Sequence, residues 1–328
     1  MTDSPSDQVV RRSVTFYGVS PVVATAPRKE QPDTAANRAR QHPLPGGRAM
    51  YVVDAHCHLP EGFTAKDLEF AFSLGFMDQT WALSAPLTHW TGTRDNDETL
   101  LELARDFPGK LIPFGYLNLA KGPDWVDRQK ERGFAGLKAH TPPRPWDDDS
   151  FFPIYERAEK LGMPILFHTG QAWTDTLDHY PYASSQRSRS TDWMHVERLD
   201  VVIKTFQSLT VIAAHFGWPH CDAAMGMAMT HPNFYLDTSG YLGVIFDSVT
   251  RGMTTYGIAH KILIGSDIML NTPPEGRKEQ IRVWQERVLF WKHYFTNFFP
   301  APGALTQPQS PSTGELVVGE NARRILGG

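Results

Sequence analysis

The sequence predicts an α/β protein, a single distorted (β/α)8 barrel around an eight-stranded parallel sheet. Three observations predict it. From Met50 onward, short runs rich in β-branched and aromatic residues alternate with longer helix-like stretches, the pattern of a parallel sheet with crossover helices. Such units number eight, enough to close a barrel. Several strand candidates, residues 211–214 among them, are apolar on both sides, as a strand buried on both faces must be. An open doubly wound sheet is the alternative, but its GxGxxG phosphate loop after a strand is missing.

In chain order, the expected strand 50–55 precedes a helix at 65–74, and strand 80–84 precedes helix 96–106. Strands at 111–117, 134–140 and 164–168 follow, with helices at 125–132 and 152–161 between them. A long polar segment, 170–195, comes after the fifth strand. Helix 196–207, strand 209–215, helix 219–229, strand 234–238, helix 245–256 and strand 261–266 then lead to a long aromatic-rich helix at 279–299. The irregular stretches 170–195, 270–278 and 300–315 all lie after strand ends or around the last helix, where a barrel enzyme grows its active-site loops.

Composition narrows the function classes. Glycine accounts for 26 of 328 residues and cysteine for 2, so collagen and a disulfide scaffold are excluded. A hydrophobic fraction of 41% is enough for a large core. Net charge is −4, from 32 basic and 36 acidic residues, which is no nucleic-acid footprint. No apolar run reaches the ~18 residues of a spanning helix, so no membrane partner is expected. Cys57 and Cys221 form no CxxC pair, and a reduced, cytoplasmic setting is the simpler reading. Residues 1–48 are rich in Pro, Arg, Ser, Thr, Gln and Asp and read as a disordered leader ahead of a barrel domain at 49–328. Arg11 and Arg12 give that leader a twin-arginine outline, but its apolar stretch is broken by Gly18, Ser20 and Pro21, so export is the lesser reading.

Polar residues gather at strand ends. The first strand finishes with His56 and His58, and the i, i+2 spacing on an extended strand puts both rings on one face. The fourth finishes with Lys138 and His140, the fifth with His168, the sixth with His215 and the eighth with Asp267. Taken singly, each is as well explained by a hydrogen-bonded structural role. Together they converge on one cavity at the C-terminal end of the barrel, and imidazole with carboxylate is the usual donor set for zinc, iron or manganese.

These pieces resemble the amidohydrolase superfamily, in its amidohydrolase-related, decarboxylase-like branch of metal-dependent TIM barrels. The resemblance rests on Val-Asp-Ala-His-Cys-His, Gly-Phe-Ala-Gly-Leu-Lys, Pro-Ile-Leu-Phe-His-Thr-Gly, Val-Ile-Ala-Ala-His-Phe-Gly, Phe-Tyr-Leu-Asp-Thr-Ser-Gly, Ile-Leu-Ile-Gly-Ser-Asp and the terminal Gly-Glu-Asn-Ala-Arg-Arg-Ile-Leu, in that order over residues 50–328. It implies that His56, His58 and Asp267 bind a first metal ion, joined by His168. It implies that His215 is a second-metal ligand or a water-orienting base, and that Lys138 is either a carbamylated bridge between two ions or a lysine for a substrate carboxylate. His140 is not required by the pattern. It implies a divalent cofactor, zinc first with iron and manganese behind it, in one or two ions.

The reaction read from this frame is hydrolysis of an amide, ester or lactone by metal-activated water, with Asp267 and His215 as the catalytic groups. Non-oxidative decarboxylation, a di-iron oxygenase and a metal-stabilised binding protein without chemistry are the alternatives, the last weakened by the presence of Asp267. A small-molecule substrate with a ring or an extended apolar body is expected against Trp81, His140, Trp173 and Arg187, and a homodimer as the assembly. An unpacked leader makes one prediction at this level: limited proteolysis should remove about the first 45 residues and leave the remainder whole, since exposed termini are cut first. Two stable halves from a central cut would refute a single barrel.

Overall fold

The computed structural model describes residues 50–60, 62–84, 96–171, 191–240, 242–270, 273–299 and 312–327. Residues 50–328 form one unit by their own contacts. Eight parallel strands and their helices alternate as the sequence pattern requires: β1 (Val53–His58), α1 (Ala65–Ser73), β2 (Gln79–Leu83), α2 (Asp97–Asp106), β3 (Leu111–Tyr116), α3 (Asp124–Arg132), β4 (Gly136–Ala139), α4 (Phe152–Lys160), β5 (Ile165–Phe167), α5 (Leu199–Thr205), β6 (Val211–Ala213), α6 (Cys221–Thr230), β7 (Phe234–Asp237), α7 (Leu242–Thr254) and β8 (Ile262–Leu263). A ninth short strand, β9 (Ile268–Met269), precedes the long helix α8 (Arg277–Phe298). Trp173 and Arg187 lie outside the described residues.

The sheet runs in the order β8-β7-β6-β5-β4-β3-β2-β1-β9. The eighth stave of the barrel is therefore one stretch of chain in two pieces. Its first half pairs with β7, Leu236 opposite Ile262, and its second with β1, Cys57 opposite Ile268. Between the halves, Ala55 N–H bonds Ile264 O at 2.8 Å and Asp267 N–H bonds His56 O at 2.8 Å. The sequence predicts one unbroken eighth strand at 261–266. The break arises because Asp267 sits at φ 48°, a conformation that ends regular strand geometry. Gly265 is dictated by close approach: a Cβ there would stand 2.9 Å from His56 Cβ and 3.0 Å from Ser239 Cβ.

β1 carries a second irregularity. Asp54 pairs with Thr80 and Cys57 with Ala82, three residues against two, which is a bulge. Before it, Val53 and Ala55 point into the barrel and pack with Trp81, Leu83, Phe114, Leu166, Ile212, Tyr235 and Leu263. After it, Cys57 points outward into the helix layer. Strict alternation from Val53 would have turned both histidines away from the cavity. The bulge switches the phase and turns them in.

The barrel floor is closed from an unexpected source. Residues 313–325 are helical, ending in α10 (Asn321–Ile325) after the short α9 (Thr313–Glu315) and a π turn. Ala322 joins the inner core, and the Asn321 side chain donates to Ala259 O and Ile262 O at 2.7 and 2.8 Å. No helix among the described residues is long and apolar enough to cross a membrane.

Asp54 is the clamp on the seam. Fully buried, it accepts from Ser266 N at 2.9 Å, Ser266 Oγ at 2.6 Å and Trp284 Nε1 at 2.6 Å. Burial pushes its carboxyl up to about 6 against the pull of those donors. Asp54→Ala should lower stability by about 2–4 kcal/mol, because it strands a buried indole N–H and hydroxyl. Urea unfolding with tryptophan fluorescence would measure it, and a loss under 0.5 kcal/mol on the scale of surface substitutions would remove the clamp role.

Candidate metal centre

The phase switch in β1 and the break after β8 bring three donors together at the C-terminal end of the barrel. His56 Nε2 lies 3.3 Å from His58 Nε2 and 3.3 Å from Asp267 Oδ1, and His58 Nε2 lies 3.5 Å from Asp267 Oδ1. Ligands ~2.1 Å from one tetrahedral ion stand ~3.4 Å apart. The triangle fits a divalent ion as it stands, and it is one of two such groups among the described residues.

Each imidazole is held by its other nitrogen. His56 Nδ1 meets Asp237 Oδ2 at 2.8 Å, and His58 Nδ1 meets Leu83 O at 3.2 Å. An acceptor at Nδ1 places the proton there and leaves the Nε2 lone pair for a metal. Burial pushes His56 down to about 4, with the Lys138 charge adding to it, so the ring is neutral at physiological pH, as a ligand must be. Burial alone would raise Asp237 and Asp267. For Asp237, the charge and hydrogen bond of His56, with His215 and Ser239, outweigh it and hold the carboxyl down at about 2. For Asp267, the hydrogen bond from His58 and the charges of His56 and His215 hold it well below the usual carboxylate range.

A second group of polar side chains stands beside the triangle. His215 Nε2 and His168 Nδ1 are 3.0 Å apart, so these two are paired with each other, and His168 is not a corner of the triangle. His140 stacks on His168 with centroids 3.9 Å apart and meets Thr141 Oγ1 through Nδ1 at 2.5 Å. Burial lowers the pKa of all three rings, those of His140 and His168 well below the ordinary value. Lys138 is 2% exposed; burial pulls its amine down to about 8, opposed by the charges of Asp237 and Asp267. His215 is presented by a tight turn in which it and Phe216 have φ of 57° and 55°.

Trp81, expected on the pocket wall, is instead fully buried in the barrel interior. It stacks on Phe114 at 4.9 Å and donates to Gln79 Oε1 at the start of β2. Two residues bonded into this cluster have no role in the sequence reading above. Asp237 accepts from His215 N–H at 2.9 Å as well as bonding His56, and Ser239 Oγ bonds both Asp237 and His215 Nδ1. A carboxylate closing the apolar run Phe-Tyr-Leu-Asp was the available signal, since a buried charge there demands partners.

Asp237→Asn should weaken metal affinity about 10–100-fold with the barrel intact, the usual effect of losing an outer carboxylate. His56→Ala should lose the ion from the triangle outright. Competition with a chromogenic chelator measures both, and full metal retention in His56→Ala would discard the triangle.

The family model described as amidohydrolase matches residues 53–328. No curated protein matches. Among solved structures, an uncharacterised TIM-barrel protein from Bordetella bronchiseptica aligns over 85% of this chain and 99% of its own, with 17% identity and TM-score 0.58. A 5-carboxyvanillate decarboxylase from Sphingomonas paucimobilis aligns over 85% and 99%, with 15% identity and TM-score 0.53. A probable 2-pyrone-4,6-dicarboxylic acid hydrolase from Acinetobacter baumannii aligns over 85% and 100%, with 13% identity and TM-score 0.52. At such identities the likeness is one of fold.

Proposed function

The chain belongs to the amidohydrolase family, and on that premise we propose that it is a metal-dependent hydrolase of an amide, ester or lactone in a ring-bearing or extended small molecule. The observation that carries this reading is the triangle of His56, His58 and Asp267 with its ligand atoms preset at 3.3–3.5 Å. A divalent ion held there, zinc in this proposal, supplies a Lewis acid and lowers the pKa of water from 15.7 to about 7.

The chain's own residues handle the proton. Asp267 is the most open corner of the triangle, its side chain 22% exposed. Held ionised, it accepts the proton of the attacking water and delivers it to the leaving heteroatom. Asp237 keeps the His56 ring in one tautomer through both steps. His215 is locked by Ser239 on one nitrogen and faces His168 with the other, so it is fixed where it can orient water or the substrate oxygen. Lys138 favours hydrolysis over decarboxylation. Its amine makes no hydrogen bond among the described residues and lies within the field of Asp237 and Asp267. A pKa pulled toward neutrality gives a neutral fraction able to take up carbon dioxide as a carbamate, and with His168 and His215 alongside this would complete a second ion position.

Two measurements test the proposal. Lys138→Ala should bind about half the barrel metal of the parent if the lysine bridges two ions. Unchanged stoichiometry with weaker substrate affinity would make it a substrate-binding lysine at a single ion. Aryl esters, lactones and amides should turn over, and Asp267→Asn should reduce that turnover by about 10²–10⁴-fold. Carbon dioxide release from hydroxybenzoates with no ester, lactone or amide turnover would replace hydrolysis by decarboxylation.

A further inference from the structure

We propose a second divalent-metal site outside the barrel cavity, built from His195, Glu197 and His220. One potential ligand atom from each lies within 4.8 Å of the other two. His220 Nδ1 and Glu197 Oε1 are 2.5 Å apart, and the His195 and His220 rings have centroids 4.3 Å apart. The histidines come from separate segments. His195 precedes the 3-10 turn Val196–Arg198 and makes no capping bond with its side chain. His220 precedes α6 and likewise makes none.

A surface ion pair between His220 and Glu197 accounts for two of the three residues and leaves His195 unexplained. The other carboxylate near His195 is Asp192, whose Oδ1 lies 3.8 Å from Nδ1, beyond hydrogen-bond reach, while its Oδ2 accepts from Arg198 at 2.9 Å. Arg198 spends its remaining reach on Asp147 at 3.2 Å. Glu197 thus lies within 4.8 Å of ligand atoms of two imidazoles set against each other, an arrangement that a single shared cation satisfies. Two imidazoles and a carboxylate from two loops are a zinc-type donor set. On binding the ion, Nδ1 and Oε1 would give up their hydrogen bond at 2.5 Å and part to the ~3.4 Å of two ligands of one ion. With side chains 25%, 47% and 39% exposed for His195, Glu197 and His220, water completes the coordination. A cleft of about 500 Å³ lined by Glu197, Trp218, His220 and Cys221 gives access.

The position gives the ion a task. Gly170 N–H bonds Met194 O at 3.1 Å. Gly170 also approaches Trp218 so closely that a Cβ would stand 2.1 Å from its carbonyl oxygen. The segment after β5, which carries His168, is thus packed against both segments that supply the ligands, and the one supplying His220 also carries His215. An ion joining His195 to His220 ties those segments together beside the catalytic cavity, without taking part in the reaction.

The test uses the full chain stripped by chelator and titrated with zinc. His195→Ala/His220→Ala should remove one equivalent and leave the barrel equivalent in place. In His56→Ala/His58→Ala, one equivalent should remain, binding at micromolar zinc and raising the melting temperature, as any ligand of the folded state alone does. Adding His195→Ala/His220→Ala to that variant should abolish both effects, with circular dichroism confirming the fold. Cobalt in place of zinc should give a visible d–d band that follows the same pattern. Unchanged stoichiometry and affinity after His195→Ala/His220→Ala, or saturation only at millimolar zinc, would overturn the site. Because the barrel ligands and these ligands are removed separately, failure here is distinguishable from failure of the barrel centre.

Discussion

The closure of the barrel between its first and last strands is the constraint on which the rest of the molecule depends. Three of the donors at the centre sit on that seam, two on β1 and one in the break between β8 and β9. A regular closure would serve them badly. The bulge in β1 turns His56 and His58 inward, and the left-handed residue at 267 swings its carboxylate toward them. Both are local departures from strand geometry that cost stability and persist only when the surroundings over-determine them. Asp54 supplies much of that determination, joining β1 to Ser266 and to Trp284 on α8 through buried hydrogen bonds. The long helix thereby does more than cover the sheet. Arg287 on the same helix donates to the carbonyls of Ser266 and Asp267 at 3.1 and 3.2 Å, so the break is held from outside as well.

Much of this was legible in the sequence, and what was not has physical causes. The alternation of strand and helix was readable because each strand is short, apolar and followed by an amphipathic stretch. The convergence of His56, His58 and Asp267 was readable because strand ends of a barrel share one mouth. The bulge was not, since Val53, Ala55 and Cys57 keep perfect alternation on paper and only the pairing with β2 shows the slip. Asp237 lacked a role because its partners, His56 and the His215 amide, are 181 and 22 residues away in the chain. Trp81 misled for the opposite reason. An indole near a strand end can line a mouth or fill the barrel, and the choice falls to its stacking on Phe114. The helical segment that plugs the floor escaped because it is short, its core contact is divided among Val317, Val318 and Ala322, and its anchor is one amide, Asn321.

Charge gives the last step. Five imidazoles, an amine and the Asp237 carboxylate are buried, with Asp267 partly buried beside them, at one end of a barrel that could have been filled with leucine at less expense, since replacing buried polar groups with well-packed apolar ones is often neutral or stabilising. Their retention makes sense when something bound there compensates them. Without an ion, Asp237 and Asp267 outweigh the partly protonated Lys138 and the cavity is negative, so it draws in a cation. With a divalent ion in the triangle the sum turns positive, and the same walls favour a group that gains negative charge. In the proposed hydrolysis, addition of water to a carbonyl creates such charge on oxygen, where oriented donors act most strongly. With the proposed ion in place, the electrostatics would favour a substrate that arrives polarised and becomes anionic during the reaction.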